Sequence, residues 1–239
     1  MCLDLLNLMS FLAETRSRLR AANVEHVLRY FEKLASHPKV NSAKLCIAGH
    51  SAGGAIAIES VCALLEANKS PPHSLLLLDA VPWLSTLKRA DLQSSKFTVP
   101  LPINVSADHP SETVCVASLR GEPGSWNANG LILEALARSF GKGACDVKIM
   151  GARHGDFMCP EGGRFGGLMQ CAMKVIGLTS NARIQDDIEA LIVAFVQSSL
   201  QGSPAYAEAH SRLSKDVVIR MVDPTKVTDM RKNLPSFLR

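Results

Sequence analysis

The chain has 239 residues, 47% of them hydrophobic and 20% charged, enough apolar mass for one large core or two small ones. Its apolar runs stay well short of the roughly 18 residues that a membrane span needs, which excludes a transmembrane bundle, and the composition excludes disorder and collagen. The formal net charge is +4, and the stretch 211–239, with seven basic and three acidic residues, carries all of it; it reads as a solvated tail, and no nucleic-acid partner is expected.

Residues 5–35 read as a helix, with Leu5, Leu8, Phe11 and Leu12 on an i, i+3, i+4 pattern that Val24, Val27, Leu28, Phe31 and Leu34 repeat. His37-Pro38 stops it. Residues 44–48 (KLCIA) form a short apolar run that fits a buried strand. Gly53-Gly54 then opens a helix through about Asn68, and Pro71-Pro72 breaks the chain. Residues 75–78 are a second buried strand, ending at Asp79. The proline-rich stretch 80–112 is irregular and looks like a loop or lid. Residues 113–117 are a third strand, 129–140 a helix and 146–149 a weaker fourth strand. A glycine-rich loop (162–167) follows, then a clear amphipathic helix over 184–200 and a fifth strand candidate at 217–222. Strands alternating with helices argue an α/β protein with a mainly parallel sheet flanked by helices. Three parts are expected: a helical segment over 1–40, a core over 41–202 and the basic tail over 203–239.

The seven cysteines (Cys2, Cys46, Cys62, Cys115, Cys145, Cys159 and Cys171) follow no metal or disulfide framework. Several sit in apolar runs, where cysteine acts as a small hydrophobe. Reduced thiols in a reducing, intracellular compartment are expected; whether Cys159 and Cys171 pair stays open. Residues 1–14 are apolar but carry Asp4 and no basic start, so neither a secretory signal nor a transit peptide is read there.

The chemistry begins at Ser51. Gly49-His50-Ser51-Ala52-Gly53 matches G-x-S-x-G, preceded by a buried strand and followed by a small-residue helix. Such a turn strains the serine backbone and lifts its hydroxyl to the carboxyl end of the sheet. Small residues at 49 and 53 are expected where strand and helix pass closely. The Ala52 backbone N–H, at the helix N-terminus, can then stabilise an oxyanion.

A serine hydroxyl needs a base. Of the seven histidines, His50 lies inside the elbow and is expected to point elsewhere, whereas His154 follows the fourth strand on a loop at its carboxyl end. Two acids compete for the third place. Asp79 ends a run of four leucines, where a buried carboxylate needs a partner. Glu122 lies in a turn after the third strand. Asp79 is preferred and Glu122 is the alternative; either would hold the imidazole tautomer in the order Ser, acid, His. Asp156 is too near His154 in sequence to orient it and is a candidate for fixing the loop. His50, Trp83 and Phe157 are set down as substrate contacts.

Five segments carry a resemblance: KLCIAGHSAGG (44–54), LLLLDAVPW (75–83), TVCVASLRGEPGSWN (113–127), HGDFM (154–158) and IEALIVAFVQSSLQG (188–202). The chain resembles the α/β-hydrolase superfamily, and within it the chlorophyllase family and related bacterial polyester and lipid esterases. The resemblance implies an α/β-hydrolase-type sheet and places the acid after the strand that here ends at Asp79. It implies a lipophilic ester substrate, the phytyl ester of chlorophyll being one candidate, and a plastid location, where the sequence otherwise leaves cytoplasm or plastid open. Two departures stand out. That family usually has arginine where Ala52 stands, and the 43 residues before Lys44 read as helix, where a hydrolase has several strands and the loop donating a second oxyanion N–H. An N-terminally truncated hydrolase sheet is therefore expected, with 44–48 exposed as an apolar edge.

The expected function is a serine carboxylic-ester hydrolase working through an acyl-enzyme. The alternatives are a weak or inactive pseudo-hydrolase that binds an apolar ligand or partner, and an acyltransferase on the same triad. No H-E-x-x-H, CxxC pair or P-loop is present, so neither cofactor nor metal is expected.

Overall fold

The structure is a computed structural model that describes residues 2–81, 86, 89, 92, 97–98, 114–121, 145–157, 182–201, 205, 208–209 and 217–221. The first helix, α1 (Cys2–Ala35), turns Arg20, Val24, Val27, Leu28, Phe31, Leu34 and Ala35 inward as one stripe, the spacing of a single helical face. A 3-10 turn (Ser42–Lys44), capped by the Asn41 side chain, occupies the start of the stretch expected to be the first strand. That strand, β1 (Cys46–His50), therefore begins two residues later and runs to the elbow.

The second helix, α2 (Ala52–Glu66), buries nine of its fifteen residues, among them Ala55, Ile58, Val61 and Cys62. A helix apolar on most sides must be covered on most sides: α1 packs against one side, and β1 and β2 (Ser74–Leu78) against the other. It ends in a Schellman motif. Asn68, at φ 51°, takes the left-handed position that asparagine tolerates, and the Asn68 and Lys69 N–H groups donate to Leu65 and Leu64 carbonyls. An ion pair from Lys69 to Glu32 ties this turn to α1.

The remaining elements are β3 (Phe97–Thr98), β4 (Val114–Arg120), β5 (Cys145–Ile149), α3 (Ala182–Gln201) and β6 (Val217–Met221). The sheet runs β1-β2-β4-β5-β6, with β3 beside β4. All neighbours pair in parallel except β5 and β6, which are antiparallel. The chain is thus an α/β protein with a mainly parallel sheet flanked by helices.

Alternation along the strands divides the core. Leu76, Cys115, Ala117, Leu119 and Ile149 face α3, where they pack with Phe157, Ile188, Leu191 and Phe195. Leu75, Leu77, Val114 and Val116, all fully or almost fully buried, turn to the face that α2 covers. Among the described residues β1 is the terminal strand of the sheet; Ala48 is exposed and only Gly49 of its five residues is buried.

The fifth strand candidate at 217–222 forms as β6, because the β-branched run that opens Val217–Met221 can add to the free edge of β5. One expectation changes. Within the expected irregular lid, Thr86, Arg89 and Leu92 are helical and Phe97–Thr98 pair with β4. Their spacing puts Thr86 and Arg89 one turn apart, and both reach α2. The Thr86 hydroxyl donates to Glu59 Oε1 at 2.5 Å, and Arg89 grips Glu66 through Nε at 2.7 Å and a second guanidinium nitrogen at 2.5 Å. Glu59 is 7% exposed and also faces Arg20 Nε of α1 at 3.4 Å, which satisfies a carboxylate that burial would otherwise penalise. The expected helix over 129–140, the glycine-rich loop at 162–167, and Cys159 and Cys171 lie outside the described residues.

Candidate active site

The site sits at the carboxyl ends of the parallel strands. His50 of β1 pairs with Leu78 of β2, and Leu78 with Leu119 of β4, so Ser51 and Asp79 leave the sheet at the same level. The backbone bonds continue past the strand ends. The Ser51 N–H donates to the Leu78 carbonyl at 3.1 Å, and the Asp79 N–H to the Leu119 carbonyl at 2.7 Å. Beyond them the chain turns sharply. Ser51 has φ 55° and ψ −126°, and Asp79 has φ 41°. Among the described residues only these two and the helix-capping Asn68 are non-glycine residues with positive φ. Such conformations cost about 1–3 kcal/mol each and persist only where the surroundings hold them.

The surroundings here are a close packing of small residues. A Cβ on Gly49 would lie 2.4 Å from the Gly53 carbonyl oxygen, and one on Gly54 would lie 2.4 Å from the Ala80 Cβ. A Cβ on Gly53 would meet nothing within 4 Å. The close approach expected at 49 and 53 is therefore made at 49 and 54. Position 54 lies one residue deeper in α2, on the side turned to the sheet, whereas Gly53 faces open space.

Ser51, His154 and Asp79 form a continuous chain of hydrogen bonds. Ser51 Oγ is 2.9 Å from His154 Nε2, and His154 Nδ1 is 2.5 Å from Asp79 Oδ2. The other carboxylate oxygen of Asp79 accepts the Gly121 N–H at 3.2 Å. A carboxylate accepts and does not donate, so the proton sits on Nδ1 and leaves Nε2 free to accept from the serine hydroxyl. The Asp79 side chain is fully buried and that of His154 is 18% exposed. A carboxylate at that depth needs such partners. Gly121 is close to the histidine loop, since a Cβ there would lie 2.6 Å from the Ala152 carbonyl oxygen.

His154 opens a 3-10 turn (His154–Phe157), and Asp156 accepts the Arg153 N–H at 2.7 Å, which closes the loop around His154. Phe157, set down as a substrate contact, is 6% exposed and packs into the α3 cluster. It anchors the loop from below. His50, also expected as a substrate contact, faces His154: its Nε2 is 3.0 Å from the His154 carbonyl oxygen. Burial, reinforced by the neighbouring His154, pulls its pKa below the usual imidazole value. Trp83 and the alternative acid Glu122 lie outside the described residues.

Ser51 stands at the N-cap of α2 but its side chain makes no capping bond; the hydroxyl is turned to His154 instead. The first N–H groups of α2, those of Ala52 and Gly53, have no intrahelical acceptor and carry the positive end of the helix dipole beside the hydroxyl. Among the described residues no group of three or more His, Cys, Asp or Glu side chains is placed to hold a metal ion, and no helix is long and apolar enough to cross a membrane.

Sequence reasoning missed the Gly121 bond to Asp79 and the Gly54–Ala80 contact. The small residues after each strand, Gly-Gly at 53–54, Asp-Ala at 79–80 and Gly121, were the available signal for crowding there. In comparisons with known proteins, no family model matches the chain and no curated protein matches it significantly.

Proposed function

We propose that the protein is a serine carboxylic-ester hydrolase of the α/β-hydrolase type, acting on a lipophilic ester. One observation carries this reading: the unbroken chain from Ser51 Oγ through both ring nitrogens of His154 to a buried Asp79, at the ends of three strands of one parallel sheet. The strained Ser51 backbone supports it, because strain of that kind clusters where function requires it.

In this mechanism Ser51 Oγ attacks the ester carbonyl as His154 Nε2 takes its proton. Asp79 stabilises the resulting imidazolium and keeps the ring oriented. The tetrahedral oxyanion is held by the Ala52 N–H at the start of α2. His154 then returns the proton to the leaving alcohol, and water hydrolyses the acyl-enzyme by the same route in reverse. The chlorophyllase-like substrate class rests on the resemblance of residues 44–54, 75–83, 113–127, 154–158 and 188–202.

The test is hydrolysis of p-nitrophenyl butyrate by the 239-residue chain beside Ser51→Ala, with covalent labelling by a fluorophosphonate probe. Turnover and labelling that disappear in Ser51→Ala are expected. A folded chain with neither activity would leave the pseudo-hydrolase reading. Ester exchange into an added alcohol in preference to hydrolysis would make the protein an acyltransferase.

A further inference from the structure

His50 is the last residue of β1, and alternation along the strand turns its side chain to the same face as Cys46, which packs against the core beneath α3. The histidine loop is seated on that face too, since Phe157 lies in that core and α3 packs on the 3-10 turn. The two imidazoles meet with ring centroids 4.7 Å apart and planes tilted by 34°. His50 Nε2 lies 3.0 Å from the His154 carbonyl oxygen. A carbonyl only accepts, so His50 holds its proton on Nε2 and donates it. Burial and the adjacent imidazole favour the neutral ring that this tautomer requires.

Three bonds therefore locate His154. Asp79 holds Nδ1 and Ser51 meets Nε2, but both act on a ring that can rotate about its side-chain torsions. The His50 bond acts on the backbone carbonyl of the residue from which that ring projects, in a loop that the Asp156 bond to the Arg153 N–H also closes.

We propose that His50 is a positioning residue: by donating to the His154 carbonyl it fixes the backbone of the base, and with it the approach of His154 Nε2 to Ser51. This inference rests on the esterase reading of Ser51, His154 and Asp79, and it assigns no contact with substrate to His50. The elbow histidine is then part of the device that sets the base, joining the first strand of the sheet to a loop 104 residues away.

His50→Phe keeps a ring against His154 and removes the donor. His50→Gln restores an N–H of similar reach. His50→Asn, one methylene shorter than Gln, falls short of the carbonyl and takes the place of the Phe variant if that one fails to fold by circular dichroism. Two readouts are taken. The first is kcat and KM on p-nitrophenyl butyrate. The second is the downfield NMR signal of the Nδ1 proton between His154 and Asp79, which needs no turnover. Loss of one positioning hydrogen bond is expected to lower kcat about tenfold, with KM within about twofold, and to broaden the downfield signal in His50→Phe or His50→Asn. His50→Gln is expected to recover most of both. A donor-free variant with wild-type kcat and an unchanged proton signal overturns the inference, as does a Gln variant no better than Phe or Asn. A wild-type chain that shows the downfield proton but neither turns over nor labels refutes the esterase reading instead, and the proton comparison among the variants then decides the role of His50.

Discussion

Replacing Asp79 by Asn tests the tautomer argument at its narrowest point. The carboxylate is fully buried, and among the described residues one oxygen meets His154 Nδ1 at 2.5 Å while the other accepts the Gly121 N–H at 3.2 Å. Asparagine has nearly the same shape and tolerates the positive φ found there, but it offers one acceptor and one donor. The Gly121 N–H is backbone and cannot change sign. Leaving it unpaired in the interior would cost about 1–3 kcal/mol, so the amide oxygen turns to Gly121 and the amide NH2 to His154. Nδ1 must then accept, the ring proton moves to Nε2, and Ser51 Oγ at 2.9 Å faces a donor where it needs an acceptor. The expected loss in kcat is about 10⁴-fold, equivalent to about 5.5 kcal/mol of barrier. The fold should hold, because the bonds to His154 and Gly121 are each replaced. The assay is p-nitrophenyl butyrate turnover beside thermal unfolding followed by circular dichroism. A folded Asp79→Asn variant that keeps more than a tenth of wild-type kcat would refute the reasoning.

Ser51→Gly should abolish fluorophosphonate labelling while raising stability, since glycine relieves a backbone conformation that costs about 1–3 kcal/mol and returns part of that gain as unfolded-state entropy. A net gain of about 1 kcal/mol would lift Tm by about 2–4 °C, and a fall in Tm would contradict the strain at φ 55°. The glycines after the elbow should behave oppositely. Gly53→Ala faces open space in a helical turn and should stabilise by about 0.5–1 kcal/mol. Gly54→Ala drives a methyl into the Ala80 Cβ and should destabilise by about 1–3 kcal/mol; urea melts that rank the two alike would disprove the packing argument. A pH series tests the neutral His50. Burial lowers its pKa in the folded chain, so below about pH 6.5 the unfolded chain takes up a proton that the folded chain does not. That group's contribution therefore erodes stability as pH falls through this range. His50→Gln should flatten this part of the Tm–pH curve, and an unaltered curve would show that His50 protonates freely in the fold.

Much of the α/β pattern was legible because local patterns carry it. The stripe of α1 has one helical period, and the run of leucines before Asp79 reads as a strand buried on both faces. The G-x-S-x-G turn was visible for the same reason: its small residues and its flanking strand and helix all lie within one short segment. Element edges were less legible. Asn41 caps a 3-10 turn that takes Lys44 from the expected first strand, and the strand starts two residues late, a competition between local hydrogen bonds that apolarity does not report. Thr86 and Arg89 looked like part of an irregular segment because their reason for being helical lies in Glu59 and Glu66, far back along the chain.

What the sequence by itself determined is the set of residue types at the ends of strands: a serine in a tight turn, an aspartate after an apolar run and a histidine in a loop. What only the tertiary structure decided is their partnership. Sheet order puts β1 beside β2, two strands from β5, and parallel register brings Ser51 and Asp79 out at one level, so that a loop far along the chain can meet both. The same packing decided that Phe157 lies in the core, that Gly54 is crowded while Gly53 is open, and that His50 faces His154. Side-chain direction is set by alternation and by what packs on each face, and both depend on neighbours that the local sequence does not contain.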